Sequence, residues 1–462
     1  MRIAENIERL FKKYLPSPFT IAVLLTFISF LIALIFSQSS STSLVDKALS
    51  LLTYWEAGIW NSSLIVFAFQ MMLMLVLGHS LALSKPIENL LSQTTKYCYT
   101  TSKAAFWVCL LTLIVSLFNW GLGLIFGAIF ARKVAENAER NKWKINYPII
   151  GASAYSGLMV WHGGISGSAP IKVAEPGHLK TVMSGIYSKQ KLALLPEQIS
   201  FSETVFSSMN LCISLCLLIV LPLFMYYLGT KTESKKYTLP KKEAALNFTK
   251  TEGAERLDES RIIAFVFGGV ILVFAFYKAF ILPENLTLNF ISPNFINFAL
   301  LGLGILMHGN FNGFLKALNK AIGGASGILI QFPLYFGIMG LMKHSGMISQ
   351  LSDFFVSISN ETSFPLFTFL SAGLVNIFVP SGGGQWAIQG PIIIEASQQL
   401  GISLPKNIMA LAYGDQLTNM LQPFWALPLL GITGLKAKEI LPYTLLLMCL
   451  GAVIFISGLL LF

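Results

Sequence analysis

Apolar and polar positions alternate along this chain on the scale of whole segments. Apolar runs with charge-poor interiors at 18–36, 61–83, 147–171, 205–229, 262–282, 294–314, 323–342, 407–434 and 441–462 each predict a helix that crosses a bilayer. Two apolar stretches, 104–131 and 363–396, fit neither one crossing nor two. Each exceeds the roughly 20 residues that one span needs and is too short for two spans plus a turn. Both predict hairpins. The second contains Pro380-Ser381-Gly382-Gly383-Gly384-Gln385, through which no helix runs smoothly.

Charge orients the crossings. The segment before 104–131 carries Lys85, Lys96 and Lys103, and the segment after it carries Arg132, Lys133, Arg140, Lys142 and Lys144. Lys and Arg collect in cytoplasmic loops. The stretch 104–131 therefore enters from the cytoplasm, turns near Asn119-Trp120-Gly121-Leu122-Gly123 and returns. With 363–396 as a second re-entrant hairpin, open to the outside, about three-quarters of the 32 Lys and Arg residues fall on the cytoplasmic side. The N-terminus then lies in the cytoplasm, and 231–261 is a solvated cytoplasmic linker between two halves. The order span, hairpin, interrupted span, span occurs in both halves: 61–83, 104–131, 147–171 and 205–229, then 323–342, 363–396, 407–434 and 441–462. Ala154-Tyr155 falls on Ala412-Tyr413. An odd number of crossings separates the copies, which makes an inverted repeat.

Composition fits that reading. Hydrophobic residues are 54% of the chain and charged residues 12%, about half the charge of a soluble domain. The expected fold class is an all-α polytopic membrane protein, about nine transmembrane helices plus two re-entrant hairpins. The net charge of +10 would suit nucleic acid. The basic residues instead cluster in particular loops, so the expected partner is the lipid bilayer and no nucleic acid. The first apolar run lacks a small-residue cleavage site and reads as the first span. Cys212 and Cys216 share a helix face without further ligands, which reads as packing rather than metal binding.

Gly, Ser, Asn, Gln and Trp crowd four stretches: NWGLG (119–123), MVWHGGISGSAP (159–170), VNIFVPSGGGQWAIQGP (375–391) and GDQLTNMLQPFWALP (414–428). Small residues alone would suit close helix packing, but Asn, Gln and Trp beside them would not follow. Opened backbone at membrane depth is tolerated where it is buried or lines a cavity, and transporters hold substrate at such breaks. The substrate-binding candidates in the first half are Asn119, Trp120, Gly121, His162, Gly163, Ser166 and Ser168. Those in the second half are Asn376, Ser381, Gly382, Gly383, Gly384, Gln385, Gln389, Thr418, Asn419, Gln422 and Trp425. Trp120, Trp386 and Trp425 are placed to cover a short apolar tail. No Lys or Arg lies in the hairpin cores or interrupted spans. An anion there would meet backbone N–H groups, half-helix N-termini and neutral side chains. That suits a carboxylate that must later be released.

Asp415 is the only carboxylate well inside a continuous span. It is the candidate for cation coupling, against the alternative of a residue bonded to a break in its own helix. A proton and a sodium ion both stay open as the coupled ion. His79, His162 and His308 lie far apart without metal-ligand spacing. There is no P-loop, GxSxG or nucleotide fingerprint, so neither a cofactor nor an enzymatic activity is expected.

The segments KYLPSPFTIAVLLTF (13–27), SLFNWGLGLIFGAIFAR (116–132), YSGLMVWHGGISGSAP (155–170), VNIFVPSGGGQWAIQGPI (375–392) and GDQLTNMLQPFWALPLLGI (414–432) resemble the bacterial short-chain fatty acid transporter family, of the acetoacetate and butyrate type. That family is similar in turn to a wider ion-transporter superfamily of citrate and dicarboxylate carriers, although the Ser-Asn-Thr tripeptide of its dicarboxylate members is absent from both tips. The resemblance implies a homodimer in the bacterial cytoplasmic (inner) membrane and an elevator-type motion. It implies scaffold helices at 1–103, a first hairpin and broken helix at 104–171, a loop and scaffold helix at 172–230 and the linker 231–261. It further implies scaffold helices at 262–362, a second hairpin and broken helix at 363–434 and a scaffold helix at 435–462. The activity implied is cation-coupled symport of short-chain monocarboxylates. The alternatives are a dicarboxylate or other organic-anion carrier, an ion channel, or a membrane enzyme.

Overall fold

In hydrocarbon a backbone must bond within its own segment, and the computed structural model answers with helices. It describes residues 16–36, 43–184, 187–234, 253–282 and 292–462. The N-terminal stretch 1–15 and most of the expected linker 231–261 lie outside the described residues. The first half contains α1 Pro18–Phe36, α2 Leu44–Ile59, α3 Ser62–Ala82, α4 Thr101–Phe118, α5 Trp120–Arg140, α6 Tyr147–Tyr155, α7 Ser168–Ala174 and α8 Ser208–Lys231. The second contains α9 Arg261–Phe276, α10 Pro293–His308, α11 Phe311–Ala321, α12 Ser326–His344, α13 Phe364–Phe378, α14 Gly382–Gln399, α15 Leu404–Thr418, α16 Pro423–Thr433 and α17 Ala437–Leu461. Among the described residues, 7 helical stretches are long and apolar enough to cross a membrane: α1, α3, α4, α8, Arg261–Ile281, Phe311–His344 and α17. The chain is a multi-pass membrane protein.

The first hairpin folds at Asn119, which ends α4 and begins α5. Its arms touch closely because small residues face each other. A Cβ on Gly123 would lie 2.0 Å from Ser116 Oγ, and one on Gly127 would lie 2.8 Å from Thr112 Oγ1. The arms run beyond the expected 104–131, to Thr101 and Arg140, so Arg132 and Lys133 belong to α5. Lys133 is buried between Glu88 at 3.3 Å and Glu136 at 2.9 Å. Burial pushes the Glu88 carboxyl up, but Lys133 and Arg140 outweigh it and hold Glu88 below the usual carboxylate range. In the second hairpin, α13 lies against α15, where a Cβ on Gly414 would meet Phe369 O at 2.0 Å.

Two elements depart from the sequence expectation. The segment between the first two spans forms α2, capped by Ser43. Gly58 of α2 packs onto Phe336 O and Gly340 of α12. Asp46, Lys47 and Glu56 break up its apolar run, which concealed a helix. The expected span 294–314 ends at His308, because Gly309 takes φ +76 and Asn310 caps a new helix through Gly313 N–H at 2.7 Å. That is helix-end and helix-start chemistry in adjacent residues.

Candidate functional site

Both hairpin tips are N-caps. Asn119 Oδ1 accepts from Leu122 N at 2.9 Å, and Ser381 Oγ accepts from Gly384 N at 3.2 Å. Both interrupted spans break where expected. After α6 the chain turns through short 3-10 segments at Ser156–Met159 and Trp161–Gly163 before α7. After α15 it turns through Asn419–Leu421, and Pro423 starts α16.

The breaks free backbone groups, and their partners come both from the same half and from the other one. Tyr155 Oη donates to Asn419 O at 2.7 Å and Gln422 O at 3.0 Å in the second break. Tyr413, which the sequence reading pairs with Tyr155, donates to Asn210 Oδ1 at 3.0 Å. Asn210 Nδ2 donates to Gly163 O in the first break at 2.8 Å. Thr444 Oγ1 donates to Met420 O at 2.6 Å. Gln416 Oε1 accepts the backbone N–H groups of His162 at 2.9 Å and Gly163 at 3.3 Å.

At the centre His162 Nδ1 lies 2.6 Å from Asp415 Oδ2, with side chains 0% and 1% exposed. His162 Nε2 accepts the Ala169 N–H at 3.1 Å, so the ring proton sits on Nδ1, facing the carboxylate. That proton is off the line to Oδ2, and neither atom has an aligned hydrogen bond. The contact is electrostatic. Trp161 stacks on His162 with centroids 4.4 Å apart. The tip of the second hairpin closes over the pair: a Cβ on Gly382 would lie 2.9 Å from Asp415 Oδ2, His162 Cε1 and Trp161 Cη2.

Around this pair the structure gathers several of the expected residues. Asn376 Nδ2 donates to Asp415 O at 2.7 Å, Asn419 Oδ1 at 2.8 Å and Thr418 Oγ1 at 2.9 Å. Gln422 Nε2 donates to Asn376 O. Ser166 Oγ accepts from Trp120 N at 3.0 Å, which joins the first tip to the first break. Trp120 lies 5.2 Å from Trp425 and 5.9 Å from Trp161, with Phe67 of α3 at 6.1 Å.

Other candidates bond elsewhere or, like Gly383, lie open at the tip. Gln385 donates to Ala372 O and to Gln389, and Gln389 donates to Ser371 Oγ, so both hold the arms of the second hairpin together. Gly121 backs onto Met74 and Gly163 onto Asn210. Ser168 begins α7. Gly384 lies over Ser381 and Met339, while Gly383 is exposed with nothing within 4 Å of an added Cβ. Trp386 is not part of the aromatic cluster. Its Nε1 donates to His178 Nε2 at 3.0 Å, within an apolar group formed with Ala169, Val173 and Leu179. Burial there pushes the His178 ring below its usual value, although Glu175 acts the other way. Trp161 takes the place expected of Trp386. Trp161, Gln416 and Asn210 were missed, yet the first two adjoin His162 and Asp415 in sequence.

The whole chain, residues 1–462, matches the family described as short chain fatty acid transporter. A protein of Escherichia coli (strain K12), named as a candidate short-chain fatty acid transporter, is 36% identical over 470 residues, covering 100% of this chain and 99% of its own length. A protein of Haemophilus influenzae with the same description is 37% identical over 475 residues, covering 99% of each. Among solved structures, the YdaH transporter of Alcanivorax borkumensis aligns at TM-score 0.45 and 14% identity over 96% of this chain and 98% of that one. Neisseria gonorrhoeae MtrF aligns at TM-score 0.43 and 11% identity over 97% and 96%.

Proposed function

This chain belongs to the short-chain fatty acid transporter family, and from that premise we propose that it is a secondary active carrier of short-chain monocarboxylates such as acetoacetate or butyrate, working by cation-coupled symport. It is a membrane transporter and not an enzyme. One observation carries the proposal. Two hairpin tips and two broken helices meet at a buried polar cluster, and Trp161 Nε1, Asn419 Nδ2 and Trp425 Nε1 there are buried donors without a partner. A buried unpaired donor costs about 1–3 kcal/mol. A carboxylate brings oxygens that recover this cost, and its short tail lies against Phe67, Trp120 and Trp425. A second carboxylate, as in a dicarboxylate, would find no Lys or Arg partner beside Asp415.

Unaccompanied entry of the anion into a negative interior is opposed by about 2.3 kcal/mol per 100 mV. A coupled cation removes that opposition, and Asp415 is its binding residue. In this account the protein sits in the bacterial cytoplasmic membrane as a homodimer with its N-terminus in the cytoplasm. The hairpins and broken helices, 104–171 and 363–434, move as the transport unit against the remaining scaffold, as the wider superfamily of citrate and dicarboxylate carriers suggests. Uptake of labelled butyrate by reconstituted vesicles, corrected for leak into protein-free vesicles, tests the reading. Saturable uptake competed by acetoacetate and not by succinate is expected. No protein-dependent uptake, or stronger competition by succinate, would sink it.

A further inference from the structure

The geometry points to a proton as the coupled ion, carried by Asp415, with His162 as its positioning residue; this rests on the carrier reading above. The tautomer is fixed from outside the pair. Because His162 Nε2 accepts the Ala169 N–H, Nδ1 is the donor nitrogen, facing Asp415 Oδ2. The ionised pair thus carries a net negative charge. Among the described residues Asp415 has no Lys or Arg partner. A buried carboxylate held by one off-axis N–H is in the setting where taking a proton replaces keeping the charge.

A sodium ion would need several oxygens at once. The carbonyls freed by helix breaks are the usual source, and five of them here already have donors, which leaves the unpartnered amide oxygens Asn376 Oδ1 and Gln422 Oε1 beside Asp415. Gly163 O accepts from Asn210, Asp415 O from Asn376, Met420 O from Thr444, and Asn419 O and Gln422 O from Tyr155. The Nδ1–H directed toward Asp415 also repels a metal cation. A proton needs only one carboxylate oxygen. The other charged groups on surrounding elements are engaged elsewhere or lie at helix ends. Lys172 pairs with Glu175, Glu395 accepts from Gln399, and Glu439 caps α17 through Lys436 N. Lys406 and Lys438 lie in the first turns of their helices. The phenols of Tyr155 and Tyr413 are bonded to Asn419 and Gln422, and to Asn210.

Gly382 ties the proton to the hairpin. The tip packs on Asp415 Oδ2, so its withdrawal would open that oxygen to water. In the cycle, a proton from external water forms an O–H bond on Asp415 and substrate fills the adjoining cluster. That same O–H bond then breaks toward cytoplasmic water, with no change in oxidation state.

The test uses full-length protein in vesicles and acetoacetate, whose neutral form is scarcer than that of butyrate and leaks less. Protein-dependent uptake should acidify the vesicle interior, and a sodium gradient alone should drive none. Asp415→Asn should lose accumulation and acidification by at least about tenfold. His162→Asn, which keeps a donor toward Asp415, should retain coupling with a displaced pH profile. Infrared difference spectra of the purified protein should show a carboxylic-acid C=O band growing at acid pH, absent in Asp415→Asn and displaced in Asp415→Glu. Sodium-driven uptake without acidification, or a band unchanged in both Asp415 variants, overturns the proposal. Absence of any exchange by the parent sinks the carrier reading alone, because the infrared band still reports whether Asp415 binds a proton.

Discussion

Replacing Gly382 by alanine adds one methyl group at the most crowded point of the site. That Cβ would lie 2.9 Å from Asp415 Oδ2, from His162 Cε1 and from Trp161 Cη2. Each contact is about half an ångström or more inside ordinary van der Waals distance, and the three atoms belong to a stacked, buried group that cannot give way together. The tip must retreat instead. Overpacking of this kind costs about 1–3 kcal/mol, which lowers the population with the tip closed by about 5- to 150-fold. The adjacent Gly383→Ala is the control: nothing lies within 4 Å of its Cβ, so it should stay within about 0.5 kcal/mol of the parent. Initial uptake rates in vesicles and thermal melting in detergent read the two effects. Uptake by Gly382→Ala should fall by that factor with a lower melting temperature, and Gly383→Ala should match the parent. Parental uptake and melting in Gly382→Ala, or a larger defect in Gly383→Ala, would refute the placement of the tip.

Tyr155→Phe takes the phenol donor from Gln422 O and leaves Asn419 O with only the Gln422 N–H and should cost about 1–3 kcal/mol, read by melting; an unchanged melt, like that expected of the exposed Tyr97→Phe, would count against the cross-bracing of the two breaks. His178 is pushed below its usual value by burial, so its folded value lies below its unfolded one. The stability this gives is full above about pH 6.5 and falls as the pH drops below it. Solvent screening keeps the loss below about 1 kcal/mol. Melting temperatures across that range should show an acid-side decline that is absent in His178→Gln, and a persisting decline would place the titration elsewhere. Cysteines at exposed Lys96 and Lys144, flanking the first hairpin, should be labelled from one face of the membrane, and a cysteine at exposed Glu361 from the other. Labelling of Lys96→Cys and Lys144→Cys from opposite faces would contradict a hairpin that re-enters.

Positions where the backbone itself carries the signal were legible in the sequence. The chain breaks at Val379 to Ser381, around Pro380, with Ser381 as the cap and the three glycines forming the first turn of α14. Asn119 and the glycines after it mark the first turn in the same way. The sequence paired Tyr155 with Tyr413; Tyr155 bonds the second break directly, and Tyr413 reaches the first through Asn210. Helix rotation was not legible. Trp386 and Trp161 both adjoin glycines, and only the packed fold shows that Trp386 turns to His178 while Trp161 stacks on His162. Gln385 and Gln389 looked like ligands because polar groups beside Gly are expected at a site. Their amide nitrogens bond to Ala372 O, Gln389 Oε1 and Ser371 Oγ across the hairpin, while Gln385 Oε1 is buried without a partner. The break at Gly309 and Asn310 lay hidden because the apolar average stays high across it.

The most direct measurement of the central claim, that the carboxylate binds where the two tips and two breaks meet, is protection of a single cysteine from a thiol reagent. Gly383→Cys would be placed in a background with the five native cysteines replaced, since Gly383 is exposed and open at the second tip. Ala387→Cys, one turn further along α14 and also exposed, serves as the reference. In vesicles that exchange butyrate, added butyrate should slow labelling at residue 383 in a saturable way, leave residue 387 unaffected, and be more effective than succinate. Equal labelling of residue 383 with and without butyrate, in protein that still exchanges it, would contradict the account.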